Sequence, residues 1–314
     1  MRKTAERKNR RRWHLSWSAL LIVLLVYAGV GTLLYPDIAS WFYQYNQSQV
    51  IKKFTKEVEH VVPNAKEQLA LAHQYNNSLR FGASVQAGHR LPTGNGLAQD
   101  RRFDYNSILK LDDEGRMGRI RVPAASVDLP IYHGTSDAVL LKGIGHLEGS
   151  SLPVGGPGTH AVLTGHRGLA DALMFTNLDK VKVGDRFTLE VFGQVLVYQV
   201  NDVRVVEPDQ TETLRIQAGK DLVTLITCTP LGINSHRILV TGERVFPTPK
   251  KNLDEAGKAS GLPAFPWWAV IVGGVVVASG VFLWRTGLEP VRRRDDKRPG
   301  PPPYPPSSPY PPST

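Results

Sequence analysis

The chain's single cysteine, Cys228, lies in the stretch Val223-Thr224-Leu225-Ile226-Thr227-Cys228-Thr229-Pro230. Its β-branched residues predict a strand, and the proline ends that strand because proline cannot donate to a strand ladder. A strand end is a rigid place for a side chain, and the adjoining loop leaves room for a ligand. Two interpretations stay open here: a small buried apolar side chain, or a thiol made reactive by its neighbours.

The chain's net charge of +10 is concentrated at its two ends. Residues 1–16 carry seven Lys or Arg against one Glu, and residues 285–314 carry six against three acidic residues. The residues between them therefore carry a net charge of only +1. A nucleic-acid-binding domain gathers its basic residues on a folded face, so the sequence predicts no nucleic-acid partner.

An uncharged apolar run adjoins each basic end, at residues 17–35 and 267–284. As a helix each run is about 27–29 Å long, close to the ~30 Å hydrocarbon core of a bilayer. Neither run has the polar face of a surface helix, and aromatic residues lie at the ends, as at membrane interfaces. A cleaved signal peptide is the alternative for the first run, but the run is long for one and no A-x-A-like cleavage site follows. The sequence predicts two transmembrane helices.

The flanking charges predict the topology. Because positive flanks remain cytoplasmic, the basic N-terminus 1–16 and the basic, proline-rich tail 285–314 are both predicted to be cytoplasmic. The chain is then a two-pass protein of the cell membrane, with the lipid bilayer as one partner and residues 36–266 on the extracytoplasmic face. A lone cysteine in that compartment requires an explanation.

Two segments precede the part of the chain that is rich in strands. Residues 36–75 predict a juxtamembrane helical segment, in which Asn64 and Glu67 resemble a capping box that starts a second helix ending near His73. Residues 76–104 are rich in Gly, Asn, Arg and Gln and show no clear period. A loop of this length is usually functional or mobile, so we predict a lid-like loop.

Residues 105–246 are predicted to form a mainly β domain, and residues 247–266 a linker to the second apolar run. Several short strands with few helical stretches favour a barrel or a sandwich. Residues 189–198 predict a hairpin whose two-residue turn begins with Gly193, and residues 143–158, rich in Gly, Pro and Ser, predict a loop. The predicted strands are 116–122, 129–132, 160–163, 186–192, 195–206, 222–227 and 237–245.

A catalytic thiol needs a base or an ion-pair partner, because a cysteine with a pKa near ~8.5 is mostly protonated at neutral pH. His166 differs from the other histidines by its context. It follows the predicted strand 160–163, and glycines on both sides of it, at 165 and 168, let another strand end approach. An ordinary surface histidine is the alternative interpretation.

A developing oxyanion needs a cation or N–H donors. Arg237 lies nine residues after Cys228 and opens the next predicted strand, so both would line one rim if the strands are neighbours. A guanidinium offers paired donors to a carbonyl, which lysine does not. A solvated arginine is the alternative, and Arg167, Arg244 and His236 are rival candidates.

Several motifs resemble those of the sortases, the cysteine transpeptidases of Gram-positive cell surfaces. Residues 224–230, TLITCTP, resemble the TLxTC signature of that family. Residues 163–168, LTGHRG, resemble its catalytic-histidine segment, and residues 234–237, NSHR, its catalytic-arginine segment. Residues 129–135, LPIYHGT, and 145–153, GHLEGSSLP, resemble the class C, pilin-polymerising branch, as does the second apolar run.

The resemblance covers about residues 105–245 and implies a closed eight-stranded β-barrel with short helices, flanked by the two transmembrane helices. It implies that Cys228, His166 and Arg237 are catalytic. The thiolate would attack the Thr carbonyl of an LPxTG-like sorting signal, while the histidine protonates the departing glycine amine and the arginine steadies the carbonyl. A lysine amine of a second pilin would then take the acyl group. No metal or other cofactor is implied, and no cluster of ligands has the spacing of a metal site.

Two alternative functions stay open. A sortase that anchors surface proteins or pili to peptidoglycan would use a cell-wall amine in place of a pilin lysine. A non-catalytic pilus-assembly scaffold would be expected to lack the thiol, the histidine or the arginine, and all three are present.

The lid segment departs from the family pattern. Class C sortases usually cover the cysteine with a lid that carries an Asp-Pro-aromatic motif, whereas residues 76–104 contain no Asp-Pro. They do contain LPTG at 91–94, one residue short of the sorting-signal pattern. One hypothesis is that this loop occupies the substrate groove as an imperfect pseudosubstrate; an ordinary turn is the alternative.

Overall fold

The computed structural model describes residues 13–60, 62–79, 103–210 and 212–288. The chain divides into two compact units, one formed by the residues up to Val30 and from Ile271, the other by Gly31–Val270. Most of the predicted lid-like loop, including the LPTG at 91–94, lies outside the described residues, as do most of the basic N-terminus and the proline-rich tail.

Two of the helices are long and apolar enough to cross a membrane, judged by length and composition alone. These candidate spans are Trp17–Phe54 and Trp267–Gly287, and they contain the predicted spans 17–35 and 267–284. Within the described ranges the α-helices are α1 Trp17–His60, α2 Val62–Ser78, α3 Asp137–Leu140, α4 Lys250–Asp254 and α5 Trp267–Gly287.

Helix α2 continues to Ser78, whereas the sequence predicted an end near His73 and a loop from residue 76. The last turn is held by Asn76, whose amide donates to the Leu152 carbonyl (3.0 Å) and accepts from the Leu152 N–H (2.7 Å). The neighbouring Tyr75 is fully buried. These tertiary contacts extend a helix whose local sequence is a poor helix former.

Eight strands close into a barrel in the order β1-β2-β3-β4-β7-β8-β6-β5. This closure confirms the eight-stranded barrel and excludes the sandwich. The pairs β2–β3 and β4–β7 are parallel, and the other pairs are antiparallel. The strands are β1 Arg116–Val122, β2 Val127–His133, β3 Ile144–His146, β4 Thr159–Thr164, β5 Arg186–Val191, β6 Gln194–Val206, β7 Asp221–Thr229 and β8 His236–Arg244.

Strand β3 was missed by the sequence analysis, because it lies in the segment 143–158 that was predicted to be a loop. It has only three residues, and its central residue, Gly145, was interpreted as a loop signal. The structure gives another reason for a glycine at this position. A Cβ at Gly145 would overlap the carbonyl oxygen of Gly134, so the close approach of the chain excludes a side chain there.

The β5–β6 hairpin turn also differs from the prediction. Val191 pairs with Gln194, so the turn residues are Phe192 and Gly193, and glycine is the second residue of the turn instead of the first. Both have positive φ, 46° and 83°, as a type I′ turn requires. The phenylalanine adopts this unfavourable conformation because its ring is buried against the core.

The strands that carry the site have two apolar faces. Alternate residues of β4, β7 and β8, such as Leu163, Leu225 and Val240, point into the barrel core. The residues between them face outward and form a second cluster, in which Val162, Ile226 and Leu239 pack together with Leu147 and Leu214. Because side chains alternate along a strand, Cys228 and Arg237 lie on this outer face, two residues beyond Ile226 and before Leu239.

Candidate active site

The thiol and the arginine face each other across one strand pair. In the antiparallel register of β7 and β8, Cys228 is paired directly with Arg237. Cβ atoms of such pairs are about 4.5–5.5 Å apart, so the two side chains are neighbours on the outer face. Both are buried, Cys228 with 6% and Arg237 with 5% of its surface exposed.

The β7–β8 connection fixes the guanidinium of Arg237. Its Nη1 donates to the carbonyl oxygens of Asn234 (2.9 Å) and His236 (3.0 Å). Burial raises the pKa of the Cys228 thiol above its ordinary value, and the charge of Arg237 opposes that shift. The arginine therefore favours the thiolate in an environment that otherwise disfavours it.

Parallel pairing brings His166 to the same place. The pairing of β4 with β7 ends at Thr164 opposite Ile226, and the chain then stays close, since the Gly165 N–H donates to the Ile226 carbonyl (3.1 Å). A continuation of this register for two residues past the end of β4 would put His166 opposite Cys228. A Cβ at Gly165 would lie 2.8 Å from the ring of Phe175, which explains the glycine that precedes the histidine.

The ionisation of His166 is set by burial and by one carboxylate. The ring is partly buried, and burial lowers the pKa of His166, while Asp137 raises it. Asp137 is the first residue of α3, after its cap Ser136. Asp137 was not predicted as part of the site, because its local signal is no more than the Ser-Asp start of a short helix.

Helix α3 also supplies a neighbour of the thiol that was not predicted. Leu140, its last residue, is fully buried and packs against Cys228 in a small apolar cluster separate from the barrel core. Nothing in the local sequence around Leu140 indicates this contact, because it joins segments far apart in the chain.

The rival arginines and His236 occupy other environments. Arg167 donates to the Thr229 hydroxyl (2.7 Å) and pairs with Asp179 (2.8 Å), so it ties the segment after His166 to the end of β7. Arg244 lies at the opposite end of β8 from Arg237. His236 is exposed.

Three further histidines are buried and hydrogen-bonded to neighbouring segments. His146 contacts the Tyr105 hydroxyl (2.9 Å) and the Ser151 carbonyl (2.8 Å), and burial lowers the pKa of His146 to about 3. Burial also lowers the pKa of His133 and of His160. These neutral rings brace loops against the barrel. Within the described ranges, no group of three or more His, Cys, Asp and Glu residues is arranged to hold a metal ion.

Comparison with solved structures identifies the family. The structure of sortase C-1 from Actinomyces oris is similar to 58% of this chain and to 98% of its own length, with 49% sequence identity and a TM-score of 0.52. This chain belongs to the sortase family. The sortase domain model matches residues 120–245. Sortase C1 from Streptococcus agalactiae is 42% identical over its whole length, with a TM-score of 0.57, and this match covers 64% of the present sortase.

A further solved relative of this sortase is the sortase C of Streptococcus pneumoniae, whose structure bears on catalysis and pilin substrate specificity. It is 42% identical over 96% of its length, with a TM-score of 0.55. Among curated relatives, Sortase A of Bacillus anthracis is 33% identical over 141 residues. This match spans 65% of the relative's length and 45% of the present sortase.

Proposed function

We propose that this sortase is a membrane-anchored cysteine transpeptidase that polymerises pilins through an LPxTG-like sorting signal. The observation that carries the proposal is the direct pairing of Cys228 with Arg237 on the outer face of the barrel, beside the strand β4 whose end leads to His166. Strand register brings the thiol beside the arginine, and the parallel neighbour strand leads to the histidine. A nucleophile, a cation and a proton donor are the groups that acyl transfer requires.

In the first half-reaction, Sγ of Cys228 bonds to the carbonyl carbon of the signal's threonine. Arg237 stabilises the negative charge that develops on the carbonyl oxygen. The bond from that carbon to the glycine nitrogen then breaks, and His166 gives its proton to the departing amine. The products are a thioester on Cys228 and a released peptide that begins with glycine.

In the second half-reaction, a lysine amine of another pilin attacks the thioester carbon. His166 takes the proton from that amine, the carbon–sulfur bond breaks, and the thiolate leaves. The new bond is an isopeptide bond. Water in place of the lysine gives hydrolysis as the side reaction.

The protonation states of Cys228 and His166 limit the fraction of molecules that can react. Burial raises the pKa of Cys228 and lowers the pKa of His166, so the thiol and the neutral imidazole dominate near neutral pH. The first half-reaction needs the thiolate together with the imidazolium. Arg237 and Asp137 shift both groups toward that minor form, so their charges increase the reactive fraction.

The outer apolar cluster supports the end of β7 that carries the thiol. Val162, Ile226 and Leu239 form a buried strip that leads to Cys228, and Leu214 packs on it from the β6–β7 connection. That connection leaves β6 directly beside Arg237, since Val206 pairs with it. Because these residues are buried, they hold the end of the strand pair in place and do not themselves offer a surface to a peptide.

Three structural relatives are sortases C, which favours pilin polymerisation over anchoring to the cell wall. Mass spectrometry of the full chain mixed with LPxTG-like peptides tests the first half-reaction. We expect a peptide-sized adduct on Cys228 and none in Cys228→Ala. An adduct on another residue contradicts the assignment.

Acceptor choice separates the alternatives. With a pilin that carries the signal, a polymerase gives a high-molecular-weight ladder that disappears when acceptor lysines are replaced. A wall-anchoring sortase instead couples the same signal to a peptidoglycan amine. A scaffold supports the same assembly when Cys228 is replaced by alanine.

We propose that both termini are cytoplasmic and that the barrel is extracytoplasmic. The two candidate spans and the basic residues beside them support this topology. Protease added to intact cells should remove the barrel while a tag on the C-terminal tail stays protected. A tag that is degraded in intact cells contradicts the topology.

A further inference from the structure

A residue of α3, outside the predicted lid-like loop, packs against the proposed nucleophile. Only 6% of Cys228 is exposed, and the fully buried Leu140 lies in one cluster with it. A carbonyl carbon must approach Sγ to about 3–3.5 Å before attack. Part of the packing around the thiol must therefore yield before a substrate reaches it, and the contact with Leu140 belongs to that packing.

The face beneath α3 is not completely apolar. Thr164 pairs with Gly145, and a Cβ built on that glycine would lie 3.0 Å from Cδ2 of Leu140, so this face points toward α3. The Thr164 hydroxyl is buried and has no hydrogen-bond partner among the residues that the structure describes. A peptide in the place of Leu140 would offer this hydroxyl a partner, whereas leucine cannot.

The segment after α3 is fitted closely to the barrel. A Cβ at Gly143 would lie 2.8 Å from the ring of Tyr132 and 2.9 Å from the carbonyl oxygen of Pro130. Such contacts leave little freedom for the backbone between α3 and β3. The path of α3 is thus defined from the barrel side.

Helix α1 holds the same segment from the other side. The carbonyl oxygen of Lys142, two residues after Leu140, accepts hydrogen bonds from the Gln47 side-chain amide (2.8 Å) and the Tyr43 hydroxyl (3.1 Å). These two donors are four residues apart and so lie on one face of α1. Gln47 is buried, with 8% of its surface exposed, and Tyr43 packs against the barrel core.

We propose that α1 controls access to Cys228 by holding the α3 segment through the Lys142 carbonyl, with Tyr43 and Gln47 as positioning residues. Loss of these two hydrogen bonds frees Leu140 to leave the thiol more often. Relief of burial then lets the pKa of Cys228 fall toward the ordinary thiol value. The role of this contact in turnover rests on the proposed function, in which Cys228 is the nucleophile.

The test is the rate of Cys228 alkylation by a small iodoacetamide probe, measured against pH on the full chain in detergent. The chain has one cysteine, so the adduct reports this thiol alone. For Gln47→Met combined with Tyr43→Phe, which keep size and remove both donors, we expect about a fivefold or larger increase in rate. The midpoint of the pH profile should move to lower pH. Leu140→Ala should give both changes without altering α1.

Gln49→Met is the matched control, because it is the same substitution on an exposed position of α1 and should leave rate and midpoint unchanged. If the double variant keeps the wild-type profile while Leu140→Ala is alkylated faster, α1 does not control access to the thiol. If Leu140→Ala itself keeps the wild-type profile, Leu140 does not limit access to Cys228. Alkylation needs no sorting signal, so a failure to form acyl-enzyme would count against the proposed function and leave this result standing.

Discussion

The two ends of the β7–β8 strand pair carry the same kind of arrangement, an ionisable group on β7 and an arginine on β8, in different surroundings. At one end, Asp221 accepts a hydrogen bond from the Tyr198 hydroxyl (2.9 Å), and Nε of Arg244 lies 4.0 Å from its carboxylate. At the other end, Cys228 is paired with Arg237. Asp221, Cys228 and Arg237 are buried and Arg244 is partly buried, so burial alone does not distinguish the two ends.

The difference lies in the kind of group that β7 carries at each end. Asp221 also accepts from the Gly156 N–H (2.9 Å), and Arg244 donates to the Thr248 hydroxyl (3.1 Å) and stacks on Phe246. That network braces the barrel. A thiol is a weak hydrogen-bonding group, so the charge of the arginine at the other end acts chiefly on its ionisation. The same strand geometry therefore gives a structural end and, in the proposed function, a chemical end.

Replacement of the thiol sulfur by oxygen should give the largest effect, because it changes the group that distinguishes the two ends. Cys228→Ser should lower acyl-transfer kcat/KM by about 10⁴-fold or more, because an alcohol beside a largely neutral histidine is a far weaker nucleophile. Peptide adducts and kinetics with an LPxTG-like substrate provide the measurement. Thr229→Ser, one residue further along β7, is the control and should retain adduct formation. A serine variant with near-normal rates contradicts the assignment.

Exchange of each arginine for lysine should give opposite outcomes at the two ends. Arg237→Lys keeps the charge but loses the fork of donors, so we expect kcat/KM to fall about 10²–10³-fold, beyond any loss of stability from its hydrogen bonds to the Asn234 and His236 carbonyls. Arg244→Lys should lower the free energy of unfolding by about 1–3 kcal/mol, because the carbonyls of Val197 and Val245 lose their donor, and leave kcat/KM within a few fold. Equal effects of both variants on turnover would remove the distinction between the ends.

Asp221→Asn tests the structural end by its pH dependence. Burial raises the pKa of Asp221 in the folded chain, against hydrogen bonds from Gly156 and Tyr198 and the charge of Arg244, which lower it. A raised folded pKa stabilises the fold most below the unfolded pKa of about 3.9, and this contribution is lost as pH rises through the folded value. The difference in unfolding free energy between wild type and Asp221→Asn should therefore shrink as pH rises. Chemical denaturation at several pH values measures it, and a difference that grows with pH contradicts the assignment.

The sequence predicted that the thiol and the arginine would be neighbours, which the strand pairing confirms, but it did not predict the residues that α3 brings near them. The β-branched alternation of β7 and the short connection to Arg237 predicted that thiol and arginine would share a rim, because both signals are local. Leu140 and Asp137 could not be found in the same way. Both residues belong to α3, which lies between β2 and β3. The pairing of β2 with β3 and of β3 with β4 brings α3 near the end of β7, and this pairing joins segments that are far apart in the sequence. Strand β3 was missed because its glycine is required by a neighbouring carbonyl, a cause that local sequence does not reveal.

The smallest expected effect concerns the carboxylate that acts on His166. Asp137 raises the pKa of His166, while burial lowers it more strongly. In Asp137→Asn the pKa of His166 falls further, so the imidazolium form becomes rarer and kcat/KM at its plateau should drop about threefold, since the carboxylate is exposed and screened. The acid limb of the pH profile should move to lower pH. Asp171→Asn, an exposed carboxylate in the segment after His166 that is not among the causes of its pKa shift, is the control. An acid limb that moves to higher pH, or equally in both variants, would show that Asp137 does not set the ionisation of the histidine.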